Sequence, residues 1–160
     1  MNLGALLWLL LCPAARAVGN AGIPGQQPPT VQELAQDLGD GDAPERRFAA
    51  RSLRGMVRQD VRRSARANAP DVDLAEARLA LQVYDDLVAP ACIEALTLPE
   101  VTGACADILL QLETPAALEP LRAALSGEVR TGARRRLARA IRFLELVQAE
   151  APAEAAEPPG

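Results

Sequence analysis

The chain of 160 residues contains no histidine. That absence removes the side chain that titrates closest to neutral pH, the usual general base and the commonest metal ligand. Lysine is missing too, so all 17 basic residues are arginine. We read this as codon bias toward arginine, which lowers the functional weight of any single arginine. Aromatic residues make up only 2% of a chain that is 49% hydrophobic. Leu, Ala and Val must therefore fill the core, a composition suited to helices packed closely over small side chains. No stretch alternates apolar and polar residues with β-branched types, so no sheet is expected. Gly-rich phosphate cradles, CxxC pairs and nucleophile elbows are also lacking. Ser52, Ser64 and Ser126 lie in arginine-rich or turn contexts. Paired carboxylates occur at Asp85-Asp86 and in "DLGDGD" (37 to 42), the latter without the ligand spacing of an EF-hand loop. No cofactor, resident metal or catalytic residue is expected, and the chain reads as a non-enzyme.

What is present begins with "MNLGALLWLLLCPAARA". Its apolar run from Leu3 to Leu11 is too short for a span of about 20 residues and ends in Ala15-Arg16-Ala17. Residues 1–17 read as a signal peptide cleaved after Ala17. Lipidation at Cys12 and a retained anchor are the alternatives, the first weakened by Leu11 where a small residue is usual. Cleavage takes Arg16 from the 17 basic residues, leaving 16 against 21 acids, a net charge of −5. An exported protein is expected, periplasmic or secreted, with no span left after cleavage. Residues 18–29, rich in Gly, Pro and Gln, read as a flexible linker, and the Pro, Ala and Glu of 149–160 as a disordered tail. The folded part is residues 30–148.

Within it, Thr30 with Glu33, Asp42 with Glu45 and Asp73 with Glu76 fit capping boxes at helix starts. Ala89-Pro90 and Thr114-Pro115 place proline near first helical turns. Internal similarity is the strongest signal. "ACIEAL" (91 to 96) aligns with "PLRAAL" (120 to 125) at an offset of 29, and "GACADILLQL" (103 to 112) with "GARRRLARAI" (132 to 141) at the same offset. Tripled, the offset carries "LAQDL" (34 to 38) onto "LRAAL" (121 to 125). Helix, turn, helix repeated at this period marks a stack of helical hairpins. The plan of "VQELAQDLGDGDAPERRFAARSLRGM" (31 to 56) and "ALEPLRAALSGEVRTGARRRLARAI" (117 to 141) resembles the HEAT-like repeats of bacterial proteins, including the short kind of phycobilin lyases. The resemblance implies an all-α fold, a short right-handed α-solenoid. Residues 73 to 112 depart from it, lacking the basic residue and beginning with a longer helix.

"RRFAARSLRGMVRQDVRRSAR" (46 to 66) packs eight arginines into one stretch. On a helix Arg47, Arg51, Arg54, Arg58 and Arg62 fall within roughly 80° of one another, opposite Ala49, Ala50, Leu53, Met56 and Val57. A second cluster holds Arg130, Arg134, Arg135, Arg136, Arg139 and Arg142, while residues 67 to 121 have only Arg78 against ten acids. Charge thus runs basic, acidic, basic along the chain. The five arginines of the first cluster are the candidate interaction face for an acidic protein; a plain solvated helix face is the alternative. Nucleic acid is not expected, because the mature chain offers only Phe48, Tyr84 and Phe143 for stacking.

If the 29-residue alignment holds, Cys92 and Cys105 lie on the two antiparallel helices of one repeat. There a disulfide could clip the hairpin, or the pair could be two small buried residues. A non-enzymatic scaffold or adaptor in the bacterial envelope is the leading expectation. Binding of an anionic envelope component through arginine is the alternative, and a lyase-like role, implied only by the resemblance, stands behind both.

Overall fold

The computed structural model describes residues 28–66, 74–127 and 129–150. The proposed leader, most of the linker, Asp73 and the final ten residues lie outside the described residues. Among the described residues seven α-helices run in chain order as α1 (Val31–Asp40), α2 (Ala43–Ser64), α3 (Leu74–Val83), α4 (Ala89–Ala95), α5 (Thr102–Gln111), α6 (Leu118–Ser126) and α7 (Thr131–Glu150). No strand occurs among the described residues, and the protein is all-α.

Two predicted starts form complete capping boxes. The Thr30 hydroxyl accepts from the Glu33 backbone N–H while Glu33 Oε2 accepts from the Thr30 N–H, and Asp42 and Glu45 do the same ahead of α2. These bonds satisfy backbone donors that have no partner within the helix. They also account for Asp42 in the acidic turn. Between α1 and α2 the chain turns at Gly41, where a Cβ would lie 2.5 Å from the Asp37 carbonyl oxygen, so only glycine fits. Thr114 precedes the 3-10 turn Pro115–Ala117 that leads into α6, as its proline suggests.

Pro90 lies in the first turn of α4, but α4 does not start from a loop. It continues α3 through a π-helical turn, Tyr84–Val88, in which the Ala89 N–H donates five residues back to the Tyr84 carbonyl. Proline inside a helix lacks a donor and crowds the carbonyl four residues before it. Widening the helix just ahead of Pro90 relieves that crowding.

The helices pair as α1 with α2, α4 with α5 and α6 with α7. The second members, α2, α5 and α7, lie side by side with α5 in the middle, while α1 packs on α4 and α3 on α2. One continuous core joins all of them, with Leu34, Leu53, Ile108, Leu109, Leu121, Leu137 and Leu144 fully buried. Gly103 lets α7 lie close against the start of α5: a Cβ there would sit 3.3 Å from Arg136 Cδ and 3.4 Å from Ala133 Cα. At its other end α5 closes in a Schellman arrangement, Thr114 N–H to the Leu109 carbonyl and Glu113 N–H to the Leu110 carbonyl. Glu113, at φ 53°, takes the left-handed position that glycine usually fills.

Tyr84 ties the π turn to α2. Its ring is buried and its hydroxyl donates to Asp60 Oδ2 at 2.7 Å, while Asp60 also pairs with Arg63. Burial first, and then the bonded Asp60 carboxylate, push the phenol well above its ordinary value of 10.0. A raised value in the folded state means that this contribution to stability is complete below pH 10 and is lost as pH climbs beyond it. Tyr84 is the sole tyrosine. An alkaline titration followed by tyrosinate absorbance should therefore show no ionisation near pH 10, then a cooperative rise coincident with loss of helical circular dichroism. Ionisation at 10 with helices intact would contradict the buried bond.

Candidate interaction face

The five arginines singled out on α2 divide into two kinds. Arg47, Arg51, Arg58 and Arg62 are exposed and make no ion pair with any described acid. Arg47 Nε donates to the Ala43 carbonyl and Arg51 Nε to the Arg47 carbonyl, which lays both side chains back along their own helix. Arg54 differs. Its side chain is 35% exposed and its Nη1 lies 3.3 Å from Oδ2 of Asp107, a residue of α5 that is only 16% exposed. On the opposite side of the helix Ala49, Ala50, Leu53 and Val57 are buried in the core, as the periodicity predicts.

Asp107 also receives α7. Arg136 Nη1 lies 3.5 Å from Oδ2 and Arg139 Nη2 3.8 Å from Oδ1, so one carboxylate gathers three guanidinium groups from two helices. Two arginine clusters far apart in sequence thereby meet across α5. One carboxylate cannot neutralise three cations, so an excess of positive charge remains at this point. Further toward the start of α2, Arg46 Nε pairs with Glu100 Oε1 at 2.8 Å. Glu100 is held below the ordinary carboxylate range, first by its own backbone N–H and then by Arg46 and Arg47.

Taken by layer, the charge separates. The α2, α5 and α7 layer carries seven arginines on α2 and five on α7 against two, one and two acids, an excess of seven positive charges. The other side is acidic: α1 holds Glu33, Asp37 and Asp40 without a basic residue, and the π turn and α4 add Asp85, Asp86 and Glu94. Basic, acidic, basic along the chain becomes basic on one face and acidic on the other. Sequence reasoning found both clusters but missed Asp107, the one charged residue of α5, which was the available signal.

Depressions in the surface formed by the described residues include two of different character. One, polar and open, lies over the second half of α2 between Gly55, Arg58, Arg62 and Arg66. The other is a shallow apolar groove between the end of α4 and α6, lined by Ile93, Leu96, Pro99, Pro120, Ala123 and Val129, with no charged group among the described residues. Among the described residues no three His, Cys, Asp or Glu side chains stand where they could share a metal ion, and Asp85 and Asp86 are both exposed. No described helix is long and apolar enough to cross a membrane. Cys92 on α4 and Cys105 on α5 are fully buried free thiols. Compared with known proteins, the chain matches no family model, no curated protein and no solved structure at a significant level.

Proposed function

We propose that this protein is a short right-handed α-solenoid of HEAT-like hairpins that acts, exported into the bacterial envelope, as a non-enzymatic scaffold holding an acidic protein partner on its α2, α5 and α7 face. The observation that carries the reading is the convergence of both arginine clusters on one layer around Asp107. The repeat architecture draws support from the hairpin pairing and from spacing. Helices α5 and α7 start 29 residues apart, at Thr102 and Thr131, and α1 and α6 three times as far apart, at Val31 and Leu118. Such a face attracts an acidic surface at long range, and the contact that Asp107 makes with three arginines limits the side-chain freedom lost on docking. Export rests on the leader-like first 17 residues.

The second reading is that the same face holds lipid phosphate or a polyanionic glycan. The arginine-lined depression on α2 favours it, since guanidinium groups bind such oxyanions in forked geometry. A lyase-like role has no residue in its favour beyond the resemblance. The test is affinity capture of the tagged protein from its own cell envelope after mild cross-linking, with mass spectrometry of what co-purifies. A stoichiometric acidic protein, released by salt, is the expected result. Recovery of lipid or glycan alone transfers the role to the second reading, and recovery of neither removes the arginine face from both.

A further inference from the structure

Helices α4 and α5 form the middle hairpin, joined by a turn that is firmly held. The Thr102 hydroxyl, itself buried, donates to the carbonyls of Leu96 at 3.1 Å and Leu98 at 2.7 Å, and the Thr102 N–H donates to the Leu98 carbonyl at 3.0 Å. Cys92 and Cys105 stand the same number of residues before and after the centre of this turn, which sets them level on antiparallel helices. Both are completely buried. Ala89 and Ala95 on α4 and Ala106 on α5 are small and buried, and α4 and α5 pack directly on each other. Cys105 also acts on its neighbour: it first, and burial second, raise the Cys92 thiol. Two buried thiols level with each other on paired antiparallel helices have the placement from which a disulfide, with its Cα atoms about 4.4–6.8 Å apart, can form.

We infer that Cys92 and Cys105 are a disulfide-forming pair, and that the bond between them staples α4 to α5 at the centre of the fold when the chain matures in an oxidising compartment. The inference is independent of what the arginine face binds. The reaction is thiol–disulfide exchange with a disulfide oxidant. One cysteine, as thiolate, attacks a sulfur of the oxidant and expels one thiolate from it, leaving a mixed disulfide. The second cysteine then loses its proton and attacks the mixed disulfide at the protein sulfur. The Sγ–Sγ bond forms and the other half of the oxidant leaves as a thiol. Two electrons and two protons pass from the cysteine pair to the oxidant, whose own disulfide is reduced.

Once the chain has folded, access is closed. Held well above its ordinary range by Cys105 and by burial, the Cys92 thiol offers little thiolate to react. The bond should therefore form while the hairpin is still opening and closing, before α2 and α7 cover α5.

The full chain, unfolded in urea under reducing conditions, would be refolded in a mixture of oxidised and reduced glutathione and, separately, in reductant alone. Free thiols would be alkylated in denaturant and located by peptide mapping, which keeps Cys12 distinct. The expected result is a Cys92–Cys105 cross-linked peptide from the glutathione mixture, with a Tm raised by roughly 10 °C over the reduced protein. Cys105→Ala should abolish that difference between the two refolding conditions. Complete alkylation of both residues after oxidative refolding would overturn the inference, as would pairing of either one with Cys12 or glutathione. A bond that forms but lowers Tm would overturn the stapling role. Should Cys105→Ala fail to fold, the mapping of the unaltered chain still decides the matter.

Discussion

Leu109→Ala should destabilise the protein by about 2–5 kcal/mol, the range for emptying a buried leucine site in a packed core. Leu109 is 0% exposed and belongs to α5, the helix that contacts α2, α4 and α7. A cavity there is lined from several directions, so no single neighbouring helix can move in to close it. Its backbone position adds to the constraint, because the Leu109 carbonyl accepts the Thr114 N–H that ends the helix. With domain stabilities of about 5–15 kcal/mol, a loss of this size takes a large share of the total. Urea unfolding followed by circular dichroism should show a lower midpoint with an unchanged slope. The control is Leu146→Ala on α7, where the side chain is 64% exposed and the change should stay within about 0.5 kcal/mol. Equal effects at the two positions would mean that α5 is not the centre of the core.

Reversing Arg47, Arg51, Arg58 and Arg62 to Glu should lower the association rate with the captured acidic partner by about 10- to 1000-fold at low salt. Secondary structure and the urea midpoint should change little, since none of the four pairs with a described acid. Arg54 must be kept out of that set. Its replacement by Glu would set a second carboxylate against half-buried Asp107, so Arg54→Glu should destabilise the fold itself by about 1–3 kcal/mol. Arg58→Glu, one turn along the same face, should leave stability unaltered. Surface plasmon resonance across a salt series reads the first effect and urea melts the second. An unchanged rate in the fourfold variant would remove the arginine face from the mechanism. If Arg54→Glu and Arg58→Glu unfolded alike, Asp107 would not be the anchor described above.

Local chemistry made much of this fold legible. A capping box joins residues three apart, so "TVQE" and "DAPE" mark the starts of α1 and α2 before any tertiary contact exists. Helical periodicity likewise divides α2 into an apolar side and an arginine side from its residues alone, and the core takes Ala49, Ala50, Leu53 and Val57. Harder to read was the middle of the chain. "DDLVAPACIEA" presents a proline that usually opens a helix, yet α3 runs into α4 through the π turn. Relief of the crowding at Pro90 is local, but the anchoring of the turn is not: Tyr84, at its head, is held by Asp60 from α2. Nor could the sequence separate Arg54 from its four neighbours, because all five share one helical face and differ only in whether a carboxylate on another helix lies within reach.

Legible from residues alone were an all-helical chain, the caps and turn that start its first hairpin, the apolar side of α2 and the two arginine clusters. All of these follow from interactions within a few residues, whose geometry the backbone supplies once a helix forms. It took the tertiary structure to place α2, α5 and α7 in one layer, to bring three arginines from two helices to Asp107, and to bury Cys92 and Cys105 in one core. Each of those facts depends on how side chains far apart in sequence pack when apolar surface leaves water. That drive is non-directional, so the final partners are chosen by shape and charge across the whole assembled core.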